Sequence, residues 1–188
     1  LIDAVQEIRD KIAEANLQSE ILTKDPIRIR YGMNSGEIIL CDIGSSEARI
    51  DLTVIGDHVN LAARLESASK QYGVESLLSQ YTYALVSESI EVREIDKIKV
   101  YGKNVPVIVY ELLGKKGKLT DTQRELLEIY NRGKDAYVRG KFLEAKNHFV
   151  QANKLEEVYP GRPTNPSKVY AIRCEYLIKN PPKNWDGV

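Results

Sequence analysis

The chain has 188 residues, room for one domain or one and a half, and its 43% hydrophobic and 29% charged content is ordinary for a globular protein. Its 27 Lys and Arg are matched by 27 Asp and Glu. The basic excess of a nucleic-acid or membrane-surface binder is therefore missing, and neither partner is expected. The longest apolar run, Ile38-Ile39-Leu40-Cys41, falls far short of the ~20 residues of a membrane span, and no signal peptide opens the chain. Cys41 and Cys174 are unpatterned, so no disulfide framework or zinc site is legible and a reducing, cytoplasmic compartment is expected.

Leu1, Val5, Ile8, Ile12 and Ala15 recur at helical spacing and predict an amphipathic helix that Asp25-Pro26 ends. Because Leu1 falls inside that pattern, the chain is expected to be a piece of a longer protein, with any membrane anchor upstream. From Ile27 the period becomes two, and Ile27, Ile29, Tyr31 and Met33 predict a half-buried strand. The turn residues Asn34-Ser35-Gly36 and the apolar segment Glu37 to Ile43 predict a hairpin with it. Gly44 to Asp51 reads as a loop. Leu52 to Ile55 reads as a short strand leading through Gly56-Asp57 into a helix to about Tyr72, with Asp57 as its expected N-cap.

Further on, Glu75 to Ser79 predicts a short strand and Gln80 to Val86 a short helix. Ile90 to Tyr101 and Val105 to Leu112 predict two strands joined at Gly102-Lys103-Asn104. Residues 1–113 thus make an α/β or α+β unit. Gly114 to Lys118, with its solvated lysines, opens a linker over residues 114–121, and residues 122–188 are expected to be helical. A capping box at Thr122 and Glu125 would start a helix to about Arg139; others follow from about Phe142 to Val158 and from about Ser167 to Lys179.

The chemistry is concentrated in Leu52 to Ser67. Leu61, Leu65, Ala68 and Tyr72 form an apolar stripe. Asn60 and Arg64, four residues apart, share a face beside it. A guanidinium next to a carboxamide makes a clamp for a phosphate oxyanion, since one offers a planar fork of donors and the other both donor and acceptor. Spacing alone fits a solvated helix face more readily than such a clamp, and only the surrounding residues shift the balance.

Val59-Asn60-Leu61-Ala62-Ala63-Arg64, preceded by a short strand and Gly56-Asp57, resembles the signature of the class III adenylate and guanylate cyclases. Arg30-Tyr31-Gly32-Met33-Asn34-Ser35-Gly36 resembles the preceding strand and turn, Gly44-Ser45 and Arg49-Ile50-Asp51 the loop, and Gly102-Lys103 the closing hairpin. The resemblance covers roughly residues 1–113. It implies a ferredoxin-like cyclase fold lacking its N-terminal strands, and an adenylate cyclase that makes 3′,5′-cyclic AMP and pyrophosphate from ATP.

By position, the resemblance implies that Asn60 orients the ribose, Arg64 stabilises charge on the transferring phosphate, Thr53 reads the base, and Lys103 meets the triphosphate. A hydroxyl at residue 53 does not by itself force adenine. The family often has Lys where Tyr101 stands, so Lys99 or Lys103 would supply that charge. The family's Mg²⁺ or Mn²⁺ ions are held by two aspartates on strands upstream of this chain. Asp3 and Asp10 read instead as helix surface, so no metal ligand is expected here. The resemblance also implies a homodimer with sites shared across its interface, one chain giving the metal ligands and the other Asn60 and Arg64. This chain alone would then be inactive.

Gly133, Ala145, Phe149 and Ala152 have tetratricopeptide-like spacing, but one unit is too few for a solenoid, and a helical hairpin packed on the first region is the simpler expectation. Tyr130, Tyr137, Tyr159, Tyr170 and Tyr176 are expected to pack between these helices. His58 and His148 read as solitary structural histidines, and Cys41 as core. A non-catalytic dimerisation or nucleotide-sensing module with a protein-binding tail is the rival function.

Overall fold

The computed structural model describes residues 2–19, 26–43, 51–99, 106–158 and 162–187. Helix α1 (Ile2–Gln18) forms where the apolar period predicts it. Val5 is its buried residue, whereas Ile8 stays 40% exposed. Strands β1 (Tyr31–Met33), β2 (Ile39–Ile43) and β3 (Asp51–Ile55) lead to helix α2 (Asp57–Tyr72), strand β4 (Ser76–Ser79) and helix α3 (Gln80–Val86). Strands β5 (Ile90–Ile98) and β6 (Val107–Lys115) complete the mixed part. Strand β6 runs on through Gly114 and Lys115, taking up the start of the expected linker.

The main sheet has the order β1-β4-β6-β5, with β1 parallel to β4 and the other pairs antiparallel. Every residue of β4 is buried, because both faces of the sheet are covered. Leu77 points into a core with Leu61 and Leu65 of α2, Ile95, Val107 and Val109. Leu78 joins Val5 of α1, Met33, Ile90 and Leu112 on the opposite face.

The hairpin expected across Asn34-Ser35-Gly36 does not form. Strand β1 pairs with β4, while β2 pairs with β3 in a separate two-stranded ribbon. The turn residues seat a helix instead. Asn34 Nδ2 donates to the His58 carbonyl at 3.0 Å and lies 3.1 Å from His58 Nδ1, and Ser79 Oγ donates to Asn34 Oδ1 at 2.6 Å. A Cβ on Gly36 would lie 2.2 Å from the His58 ring. The ribbon leaves Ile39, Leu40 and Leu52 more than 60% exposed, and Cys41 is half-buried rather than core.

The tail consists of α4 (Asp121–Val138), α5 (Phe142–Asn153) and α6 (Pro166–Lys179). The capping box uses Thr120 and Gln123, two residues earlier than the expected Thr122 and Glu125, and α5 ends at Asn153, short of Val158. Pro166 occupies the first turn of α6, and Asn165 caps it by accepting from the Lys168 amide. Gly133 lets α4 and α5 approach, since a Cβ there would sit 2.9 Å from Phe149. Tyr130, Tyr137, Phe149 and Tyr170 form the core with edge-to-face and stacked contacts. Tyr176 is 65% exposed, contrary to expectation, because α6 buries Ser167, Tyr170 and Cys174 instead; Tyr159 lies outside the described residues.

The tail is bonded to β5. Arg93, 2% exposed, pairs with Glu111 of β6 at 2.6 Å and Glu156 of the tail at 2.7 Å. Ser167 and Arg162 also bond Glu156. The β5–β6 register slips between Glu94 and Asp96. At this bulge the Ile95 carbonyl accepts from Tyr170 Oη at 2.7 Å and Lys134 Nζ at 3.1 Å. Arg162 Nε donates to the Gly73 carbonyl at 2.8 Å, just past α2.

Burial alone would raise the Glu156 carboxyl, but Arg93, Ser167 and Arg162 outweigh it and hold it below the ordinary range. A depressed carboxyl contributes stability that is complete above the ordinary value and is lost as pH falls through the folded one. Tail docking should therefore weaken below about pH 4. Glu156→Ala, which leaves Arg93 with one partner, should cost about 3–5 kcal/mol in urea unfolding. A pH-independent midpoint and a silent substitution would contradict this account.

Candidate functional site

The site is built on α2. Its N-cap is Gly56 rather than Asp57: φ is +152°, which a side chain would strain, and its carbonyl accepts from the Val59 and Asn60 amides. Asp57 is the first helical residue, where its charge suits the helix dipole. Leu61, Leu65, Ser69 and Tyr72 face the sheet; Ser69 takes the fully buried position, while Ala68 is only partly buried. Gly32 of β1 fixes the depth of the helix, because a Cβ there would lie 1.9 Å from the Ala62 carbonyl oxygen and 2.5 Å from the Glu66 amide nitrogen. Arg30 Nε bonds Glu66 at 2.8 Å beside this contact.

Asn60 and Arg64 consequently stand on the exposed side of α2. Arg64 borders a cleft of about 570 Å³ with Tyr72, Asp96, Lys97, Lys99 and Arg173. That volume is within the range of small-molecule sites. Four of its side chains are cationic and one is a carboxylate, in a chain of zero formal net charge. Lys99 is one of the two lysines that sequence puts in place of Tyr101. The other, Lys103, lies outside the described residues, as does Tyr101. Asn60 is one turn towards the start of α2 and does not line the cleft. Thr53 is half-buried on the ribbon, opposite Cys41.

Asp96 is the electrostatic hinge of the cleft. Tyr72 Oη donates to Asp96 Oδ2 at 2.6 Å, and Arg173 Nη1 pairs with the same oxygen. Burial, then Asp96, pushes the Tyr72 phenol up to about 12, so it remains a donor at neutral pH. Burial would raise the Asp96 carboxyl, but Arg173 and Tyr72 hold it below its ordinary value.

Lys97, Asp96, Tyr72 and Arg173 were missed from sequence. The alternation Lys97-Ile98-Lys99 carries a signal for the two lysines, since both face one side of a strand end. Arg173 carries none, being brought in by tail docking. Asp3 and Asp10 are exposed on α1, with Asp3 paired to Lys115 at 2.6 Å and Asp10 accepting from Gln6. Among the described residues no three His, Cys, Asp or Glu side chains form a group that could hold a metal ion, and no helix is long and apolar enough to cross a membrane.

The model of the adenylate and guanylate cyclase catalytic domain matches residues 3–114, from within α1 to the penultimate residue of β6. The chain belongs to this cyclase family. The terminal-differentiation-specific adenylate cyclase of Dictyostelium discoideum is 32% identical over 152 residues, 79% of this chain and 7% of that protein. An adenylate cyclase of Anabaena cylindrica is 36% identical over 112 residues, 57% of this chain and 22% of that protein. The crystal structure of the guanylyl cyclase Cya2 matches with a TM-score of 0.50 at 26% identity, covering 61% of this chain and 56% of that one. The chain thus spans less than a quarter of the length of these two curated relatives.

In this cyclase region, Gly32→Ala should drive α2 away from β1 and cost about 1–3 kcal/mol or more in urea unfolding. An unchanged midpoint would show that α2 is not seated on that glycine.

Proposed function

We propose that this chain supplies the transition-state half of an adenylate cyclase site that converts ATP to 3′,5′-cyclic AMP and pyrophosphate. The observation that carries this is the cleft where Arg64, on a helix of fixed depth, stands with Lys97 and Lys99. In the reaction the 3′ oxygen loses its proton and bonds to the α-phosphorus, while the bond to the β-phosphate oxygen breaks and pyrophosphate leaves. Arg64 meets the charge developing on the α-phosphoryl oxygens, Asn60 holds the ribose, and Lys99 with Lys103 meets the phosphate chain.

ATP is favoured because the relatives in Dictyostelium and Anabaena are named adenylate cyclases, and Thr53 presents a hydroxyl for a base. The divalent cations of this chemistry, Mg²⁺ or Mn²⁺, would activate the attacking hydroxyl. The family resemblance assigns their ligands to two aspartates contributed across a homodimer; among the described residues no group of side chains could hold them. The exposed apolar ribbon of β2 and β3 supports a second chain as partner. We assign residues 1–113 to the cyclase half and residues 122–188 to a helical tail of tetratricopeptide-like character. The segment makes no membrane contact in this proposal and works in the cytoplasm.

Arg64→Ala in the full-length protein should lower kcat by about two to four orders of magnitude with a smaller change in KM, since the contact strengthens as charge develops. Mixing it with a full-length variant lacking a metal aspartate should restore one working site per heterodimer, while the present chain alone should make no cyclic nucleotide. Two inactive variants that dimerise but stay inactive when mixed would refute the shared site and favour a non-catalytic module.

Thr53→Ala should relax the ATP-to-GTP preference by about 1–3 kcal/mol, measured as the ratio of kcat/KM values. An unchanged ratio would assign Thr53 to the ribbon alone.

A further inference from the structure

We propose that the tail is part of the phosphate-binding site, with Arg173 of α6 serving beside Arg64, Lys97 and Lys99 as the cation that receives the pyrophosphate end of the nucleotide. The proposal rests on the cyclase assignment of Arg64 and extends it to a region beyond the family match, which ends at residue 114. Arg173 borders the same cleft as Arg64, and its side chain is 36% exposed. It is fixed there from several sides. Nη1 pairs with Asp96, Nη2 lies 3.4 Å from Tyr72 Oη, and the guanidinium sits over the Tyr72 and Tyr170 rings at 5.6 and 5.1 Å.

A guanidinium held in this way loses little freedom when an anion arrives. Its Nη1 donates to Asp96 and its Nη2 to Tyr72 Oη. Helix α6 itself is held by the Tyr170 bond to Ile95 and by Ser167 on Glu156, so Arg173 belongs to a rigid wall rather than a loose terminus. In the proposed reaction, negative charge builds on the leaving pyrophosphate as its bond to the α-phosphorus breaks. A cation at that end favours both substrate binding and departure of the leaving group.

Arg173 has a competing role, neutralising Asp96, and the experiment must separate the two. Binding of inorganic pyrophosphate to the present chain is measured by calorimetry in metal-free buffer. The decisive comparison is made in an Asp96→Asn background, where the ion pair is already gone. If Arg173 contacts the anion, Asp96→Asn alone should bind pyrophosphate at least as tightly as the parent. Adding Arg173→Gln should then weaken binding about ten- to a hundredfold, the loss of one charge-assisted contact. Equal affinity of the single and double variants, or no pyrophosphate binding by the parent chain, overturns the proposal.

Trp185, the chain's single tryptophan, packs on Tyr137 and Phe142 and reports by fluorescence whether the tail is intact in each variant. If the double variant does not fold, Arg173→Lys in the native chain keeps the charge and loses the fork; it should weaken pyrophosphate binding several-fold, and unchanged binding overturns the proposal. The cyclase assignment fails separately: an Arg173-dependent pyrophosphate site in a full-length protein without cyclase turnover would refute that assignment and leave the anion site standing.

Discussion

A guanidinium buried to 2% exposure has to be neutralised where it stands, and Arg93 is the side chain around which the molecule is organised. Glu111, on the neighbouring strand, provides one carboxylate, and the second comes from Glu156 beyond the end of α5. The sheet therefore carries a charge whose full compensation is located in another part of the chain. Next to it the bulge at Ile95 turns a backbone carbonyl towards the tail, and Asp96 follows with its own cationic partner. Arg93, Ile95 and Asp96 of one strand thus bind the tail, and the next residue, Lys97, lines the cleft.

The proposed site follows from two placements made by packing rather than by its own polar residues. Gly32 lets α2 lie directly on β1, which sets the height of Asn60 and Arg64. The end of β5, steadied by α6, sets the position of Lys97 and Lys99 opposite. Arg64 and Lys99 are far apart in sequence, and it is the shared core of Leu61, Leu65, Ile95 and Val107 that brings their backbones together.

Much of this was legible in the residues. Helix α2, its buried stripe, and strands β3 to β6 follow from period and turn chemistry, because local pattern and tertiary burial agree there. The hairpin at Asn34-Ser35-Gly36 was misread because turn residues specify a bend, not the strand that will pair after it; the Asn34 amide satisfied His58 and Ser79 instead. The buried status of Arg93 could not be seen, since an arginine beside Glu94 reads as solvent-facing until Glu156 is brought in from 63 residues away. For the same reason Arg173 gave no sign of its place beside Arg64. The bulge at Ile95 has no glycine to announce it, and only the register shows it.

Three of the bonds that seat the tail end on peptide carbonyls, two on that of Ile95 and one on that of Gly73. A carbonyl accepts whatever side chain its residue bears, but Gly73 has φ +63° and a Cβ there would lie 1.9 Å from the Thr164 carbonyl oxygen, so of the two acceptors only that of Ile95 is indifferent to its own side chain. Inheritance of the contact is accordingly lopsided: the receiving surface is held at Gly73 alone, which must stay glycine, whereas the donors Tyr170, Lys134 and Arg162 carry the rest of the constraint. A helical unit fitted in this manner can be transferred between related sheets more readily than one that depends on matched side chains, provided that the same bulge and the same left-handed turn after the helix are present to aim the carbonyls.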